Sequence, residues 1–264
     1  MRPVGIFDSG LGGLTVAAAV RKRLPAEHIV YLGDTARVPY GNRSAETITR
    51  FALQDAEHLA GHGVKAIVAA CNTVSATALD ALHTRFPDLP VLGVIEPGAD
   101  AAAKTGARRI AVLGTRATIR SGAYARALLA RDPSIRIEMC ACPLFVPLVE
   151  EGVLDGALTK AAFDLYLHDL KSSPPDAVLL GCTHYPLLKA SLQAYFGNGV
   201  TIIDSAEAAA AALERTLKRA GIAAEAAETG DLKLFVSDIA SGFREQASRF
   251  LNADVPVPEK AELG

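Results

Sequence analysis

Two short segments of this chain place thiols where they suit chemistry. Ala69-Ala70-Cys71-Asn72-Thr73 and Leu180-Gly181-Cys182-Thr183-His184 share one plan. In each, a hydrophobic run ends in Cys, small polar residues follow, and a helix begins. A helix N-terminus just downstream is expected to lower a thiol pKa from about 8.5 toward neutrality, making thiolate available. His184 is placed to orient or titrate the Cys182 thiol, as in Cys–His pairs. A free cysteine is more commonly a small buried hydrophobe, and a loop histidine can be merely hydrogen-bonded. Position at strand ends, beside Asn72, Thr73 and Thr183, favours function for Cys71, Cys182 and His184.

Other turns are rich in functional groups too. Asp8-Ser9-Gly10-Leu11-Gly12-Gly13, Gly33-Asp34-Thr35 and the loop Val38-Pro39-Tyr40-Gly41-Asn42 follow hydrophobic runs. In open parallel sheets, ligands sit at the carboxyl ends of the strands. Gly10-Leu11-Gly12 opens like a dinucleotide fingerprint, with Asp34 near the distance of a ribose-binding acid. Thr15 occupies the third glycine position, however, and Asp8 sits where pyrophosphate would approach, so nucleotide binding is disfavoured. The glycines form a tight strand-to-helix turn, or their backbone N–H groups accept a small anion such as a carboxylate; the second reading is better supported.

Weaker candidates sort differently. Glu150 and Glu151 end the apolar run Leu144 to Val149, where a carboxylate is partly desolvated, although one of the two belongs as readily to the surface. Cys140 and Cys142 flank Ala141 with no histidine or further cysteine nearby, so a zinc site is not expected and both read as structural. His58 and His62 have the i, i+4 spacing of a helical metal pair, but no acid or cysteine completes the set.

The elements that must position these residues alternate. Val4 to Phe7, His28 to Leu32, Ala66 to Ala70, Val91 to Val94, Ile110 to Leu113, Arg136 to Cys140, Ala177 to Leu180 and Val200 to Ile203 read as strands. Helix-period stretches run from Leu14 to Leu24, Ser44 to His62, Ala76 to Phe86 and Pro97 to Lys104. Strand–helix alternation argues for parallel sheets wrapped by helices. The two cysteine segments lie roughly 110 residues apart, the size of one small α/β domain, which suggests two like domains facing across a cleft. The alanine-rich helix Ala206 to Ala220 and the strand Leu232 to Val236 form a tail whose docking cannot be read from periodicity.

Composition bounds the answer. The chain has 264 residues, 50% hydrophobic, with 27 basic and 29 acidic residues and a formal charge of −2. No basic run marks a nucleic-acid binder, and every apolar stretch is cut well short of 18 residues, so no membrane span is expected. The opening Met1 to Asp8 meets an acid and glycines before a signal-peptide core forms. With only four cysteines, a reduced cytoplasmic protein is expected.

Taken together and in this order, Asp8-Ser9-Gly10-Leu11-Gly12-Gly13, Pro39-Tyr40-Gly41, Ala70-Cys71-Asn72-Thr73, Pro147-Leu148-Val149-Glu150 and Gly181-Cys182-Thr183-His184-Tyr185-Pro186 resemble glutamate racemase, of the aspartate/glutamate racemase superfamily. The resemblance spans roughly the first 205 residues; the tail carries no matching motif. It implies two pseudo-symmetric α/β domains with mostly parallel sheets and the active site in the cleft between them. The first would comprise residues 1–96 and 207–264, the second 97–206. It also implies a two-base racemase that needs no cofactor and no metal and supplies D-glutamate for peptidoglycan. Cys71 would exchange the α-proton of D-glutamate with help from Asp8, and Cys182 that of L-glutamate with help from Glu150 and His184. Asp8, Ser9, Tyr40, Gly41, Asn72, Thr73, Thr183 and His184 would hold the substrate. The partner implied is glutamate, with no nucleic acid or membrane; a homodimer is left open.

The residues suit that chemistry. Inverting a stereocentre by proton transfer needs a base on one face and an acid on the other, and two alike groups suit a mirror-image product. None of the strand-end motifs offers a Schiff-base lysine. Two rivals are an enzyme acting on aspartate or another small acid, and a two-lobed amino-acid binding protein, which would not need two proton carriers.

Overall fold

A computed structural model describes residues 2–225 and 229–263; Met1, where the signal-peptide reading starts, lies outside them. The first part runs β1 (Val4–Asp8), α1 (Leu14–Arg23), β2 (Ile29–Gly33), α2 (Ala45–Gly61), β3 (Ala66–Ala69), α3 (Asn72–Thr77), α4 (Leu79–Arg85), β4 (Val91–Leu92) and α5 (Ile95–Ala103). The second continues β5 (Arg109–Gly114), α6 (Arg116–Ser121), α7 (Ala123–Arg131), β6 (Arg136–Ala141), α8 (Phe145–Glu150), α9 (Gly156–Ser172), β7 (Ala177–Gly181), α10 (Lys189–Phe196) and β8 (Thr201–Asp204). The chain closes with α11 (Ser205–Arg219), β9 (Leu232–Val236), α12 (Phe243–Leu251) and β10 (Glu259–Lys260).

Two sheets result, and every strand pairing in them is parallel. One has the order β10-β9-β2-β1-β3-β4, the other β6-β5-β7-β8. The run β2-β1-β3-β4 matches β6-β5-β7-β8 position for position: in each, the first strand in sequence lies between the second and the third. That shared order is the pseudo-symmetry hinted at by the two cysteine segments. It makes Cys71, just after β3, the counterpart of Cys182, just after β7. β1, β2, β3 and β7 are buried along their whole length, as helix cover on both faces requires.

The structure refines the expected elements at three places. The helix expected over Ala76 to Phe86 is two helices, α3 and α4, meeting at Ala78, whose φ of −118° and ψ of 0° leave the helical region. α3 starts earlier because Ser75 N–H closes onto Cys71 C=O at 2.8 Å and the Ser75 hydroxyl donates to Ala69 C=O at 2.8 Å. The strand at Val91 is two residues long. The tail returns to the first sheet: β9 lies against β2 in register from Ile29–Leu232 to Gly33–Val236, and α12 packs on α1. α11 lies against both α1 and α5, joining the parts of the molecule that hold the two sheets.

Candidate active site

Parallel strands present all their carboxyl ends on one side, so each sheet collects its polar turns at one edge. β1 and β3 are neighbours, which brings Asp8 and Ser9 beside Cys71, Asn72 and Thr73. In the other sheet, β5 and β7 bring Thr115 beside Cys182, Thr183 and His184. The two edges face each other over a cavity of about 360 Å³ lined by both cysteines. Ser9, Tyr40, Gly41, Asn72, Thr73, Glu150, Thr183 and His184 also line it; Asp8 lies fully buried just behind the wall. The structure thus brings every expected site residue to one place.

Direct contacts bridge the cleft. The Thr15 hydroxyl donates to Thr183 C=O at 3.0 Å, and the Thr183 hydroxyl to Asp8 Oδ1 at 3.4 Å. The Thr73 hydroxyl lies 3.2 Å from that of Thr115 and 3.4 Å from that of Thr118.

The two thiols have opposite electrostatic surroundings. Burial, and then the charge of Asp8, push the Cys71 thiol up to about 12. The expectation that the helix start would lower it fails. Val74 N–H and the Ser9 hydroxyl, 3.6 Å from the sulfur, favour thiolate, but desolvation outweighs them. Burial also raises the Asp8 carboxyl, against the lowering effects of the His184 charge, the N–H groups of Gly13 and Gly10, and Thr183. On the other side, Cys182 Sγ lies 4.0 Å from His184 Nδ1, and His184 Nε2 lies 3.0 Å from Glu150 Oε1. Burial alone would lower the imidazole, yet its contacts with Cys182 and Glu150 prevail and hold it up at about 10. The site therefore keeps an imidazolium beside Cys182 and a carboxyl group beside Cys71.

The glycine turn acts otherwise than expected. Gly10 N–H donates to Asp8 Oδ2 at 3.1 Å, so the chain's own carboxylate takes a place expected for a ligand anion. Gly12 is needed for close approach. A Cβ there would lie 2.5 Å from both His184 Nδ1 and Thr183 Oγ1. Tyr40 likewise turns its hydroxyl away, onto the buried carboxyls of Asp34 and Asp55, the latter at 3.0 Å. Arg37 pairs with both acids. Burial, then the charge of Asp34, raise the Asp55 carboxyl. This network ties the Pro39-Tyr40-Gly41 loop to β2 and α2, and Tyr40 and Gly41 line the cavity.

Several supporting residues lie outside the sequence motifs. Phe250 of α12 packs edge-on against the His184 ring, centroids 5.0 Å apart. Arg249 donates to Val149 C=O at 3.3 Å and Glu150 C=O at 3.0 Å, capping the helix that carries Glu150. Thr115, Arg116 and Val146 line the cavity. Thr115 could have been found as a helix cap after β5, since its hydroxyl accepts from Thr118 N–H at 3.2 Å. Away from the cavity, Cys140 and Cys142 hold their sulfurs 3.7 Å apart, with Cys140 donating to Tyr166 C=O. His58 and His62 pair with each other over Phe235 at the surface. Among the described residues, no three His, Cys, Asp or Glu are grouped to hold a metal. No helix among them is long and apolar enough to cross a membrane.

Strand-end thiols paired on one cavity, on duplicated parallel sheets, are an arrangement suited to an isomerase of the amino-acid racemase class. The chain belongs to the Asp/Glu/Hydantoin racemase family, whose pattern matches residues 14–213. A glutamate racemase from Geobacter metallireducens is 46% identical over 251 residues, covering 95% of this chain and 93% of its own. One from Aquifex aeolicus is 46% identical over 253 residues, covering 96% and 95%. The crystal structure of glutamate racemase from Francisella tularensis in complex with D-glutamate superposes with a TM-score of 0.92 at 36% identity, over 99% of this chain and 98% of that one. An aspartate racemase homologue from Pyrococcus horikoshii, at 19% identity and a TM-score of 0.57, shares the fold alone.

Proposed function

We propose that this protein interconverts L- and D-glutamate by passing protons between the substrate and two thiols, with no cofactor. The observation that carries this reading is the placement of Cys71 and Cys182 at equivalent strand ends on one cavity. Glutamate is favoured over aspartate because relatives named glutamate racemase match at 46% across nearly the whole chain, whereas the aspartate racemase homologue shares only fold.

The charge pattern suggests the order of events. With L-glutamate bound, Cys182 as thiolate removes the α-proton while the His184 imidazolium, itself held by Glu150, balances the sulfur's charge. Cys71, a thiol at neutral pH, gives its proton to the opposite face. In the reverse direction Cys71 must ionise. A proton on the raised carboxyl of Asp8 removes the charge that opposes it. The α-proton is very weakly acidic, so the carbanion needs placed donors and a site shielded from water. The hydroxyls of Ser9, Thr73 and Thr183, the Asn72 amide and the backbone at Tyr40 and Gly41 supply donors for the substrate's two carboxylates. The same reading divides the chain into a first domain of residues 1–96 with 207–264 and a second of 97–206. It also assigns the protein to the cytoplasm and to D-glutamate supply for peptidoglycan.

The test starts from unlabelled L-glutamate in deuterated water, stopped early. Two thiols predict D-glutamate labelled from the first turnovers while recovered L-glutamate stays nearly unlabelled, and the converse from D-glutamate. Cys71→Ala and Cys182→Ala should each abolish racemisation, whereas Cys140→Ala and Cys142→Ala keep turnover within a few-fold. A residual substrate pool that labels as fast as product in both directions, or racemisation surviving in either of the first two variants, would refute the division of labour.

A further inference from the structure

Tyr124 of α7 joins the two cysteine turns, and no sequence motif marked it. Its ring is fully buried, with Gly98 and Gly181 packed against its two edges. A Cβ on Gly98 would sit 3.3 Å from Tyr124 Cε1, and one on Gly181 would sit 2.9 Å from Cε2. Gly181 immediately precedes Cys182. At its other end, the Tyr124 hydroxyl donates to Asn72 Oδ1 at 2.6 Å, and Asn72 immediately follows Cys71.

Asn72 is 2% exposed and lines the cavity. Its Oδ1 is satisfied by Tyr124, but its Nδ2 has no hydrogen-bond partner within the protein. A buried donor left unpaired costs about 1–3 kcal/mol, so native structures rarely keep one without a partner from outside the chain, either a ligand or an ordered water. Which end of a side-chain amide faces a ligand is settled by the partner of its other end. Here that partner is a hydroxyl reaching across from the half that carries Cys182.

We propose that Tyr124 is a positioning residue: by donating to Asn72 Oδ1 it turns the Asn72 N–H₂ donor toward a carboxylate of the bound amino acid. This rests on the reading of the site as a glutamate racemase and adds to it a residue that does not touch the substrate. The geometry separates this role from ring packing, because Tyr124→Phe keeps the ring beside Gly98 and Gly181 and removes only the hydroxyl, with its contacts to Asn72 and Ser205; the Asn72 background then isolates the Asn72 contact.

The experiment measures racemisation kinetics in both directions for the unaltered protein, Tyr124→Phe, Asn72→Ala and the double variant, with thermal melts as a folding check. Tyr124→Phe should raise KM for both enantiomers about tenfold, the effect of losing one well-aligned hydrogen bond to a charged group, with kcat changed less. In the Asn72→Ala background the same change should cost nothing further, since the residue it acts through is gone. Asn72→Asp, which keeps an oxygen for Tyr124 and deletes the N–H₂ donor, should raise KM at least as much as Tyr124→Phe and tests the donor even if Tyr124→Phe does not fold. An unchanged KM in Tyr124→Phe or Asn72→Asp, or losses that multiply in the double variant, overturns the proposal while leaving the racemase reading intact. Absence of glutamate turnover in the unaltered protein would overturn the racemase reading itself, and this role with it.

Discussion

Glu150→Gln isolates the charge in the second of the two contacts, after that with Cys182, that hold His184 protonated against burial. Glutamine keeps an oxygen where Glu150 Oε1 now lies 3.0 Å from His184 Nε2, so the hydrogen bond survives and the negative charge goes. Two unit charges about 4 Å apart interact by about 4 kcal/mol at the effective dielectric of a protein surface. The Glu150 side chain is 36% exposed, and solvent screening reduces that figure. About 1.5–3 kcal/mol remains, which is roughly one to two pKa units. His184, held up at about 10 in the unaltered protein, should therefore titrate about one to two units lower in Glu150→Gln. Nitrogen-15 chemical shifts of labelled histidine, followed across pH, read this directly and need no turnover. A His184 midpoint near the ordinary value of about 6.5 in the unaltered protein, or one that does not move in Glu150→Gln, would refute the imidazolium assignment.

Gly12→Ala should fold but lose at least tenfold in kcat/KM, because its Cβ would sit 2.5 Å from His184 Nδ1 and Thr183 Oγ1 and push both off the cavity wall; steady-state kinetics with a thermal melt check this. Stability should fall on the alkaline side. The folded-state value of His184 lies above its unfolded value, so its contribution is complete below about pH 6.5 and is lost as pH rises through about 10. The buried Cys71 thiol acts in the same direction between its ordinary value of 9.0 and about 12. Melting temperatures between pH 7 and pH 10 should accordingly drop further for the unaltered protein than for Glu150→Gln, whose His184 has less to lose.

How far the sequence could be read depended on whether a signal was local. Cys71 and Cys182 stood out because a parallel strand, a turn and a helix start are contiguous in the chain, and fold duplication repeats that unit. Apolar runs such as Ala177 to Leu180 were legible as strands, and the alternation of elements gave parallel sheets. What stayed hidden acts at a distance. Phe250 and Arg249 reach His184 and Glu150 from the tail, where no motif marks them. Tyr124 reaches Asn72 from 52 residues away, and periodicity records only that it is buried. The sign of the Cys71 shift was missed for a related reason: a helix start is visible in sequence, whereas complete burial beside Asp8 is a property of the packed chain. The break at Ala78 was invisible because alanine favours helix, and the Ser75 ties to Cys71 and Ala69 that set the earlier start of α3 exist only in the folded chain.

A mirror-image reaction does not require a mirror-image site. L- and D-glutamate have equal free energies in water, so on the proposed reading kcat/KM must be the same in both directions, however the enzyme is built. The site is visibly lopsided: an imidazolium and Glu150 flank Cys182, and a buried carboxyl flanks Cys71. That lopsidedness can set which thiol carries the proton at rest, and with it kcat and KM for each enantiomer separately. It cannot set their ratios apart. A change on the Cys182 side, such as Glu150→Gln, must therefore alter kcat/KM for L- and D-glutamate by one common factor, even though on the proposed reading Cys182 is the base for only one of them. The two halves of the cleft are thus free to differ in charge, and need only agree in where they place a thiol.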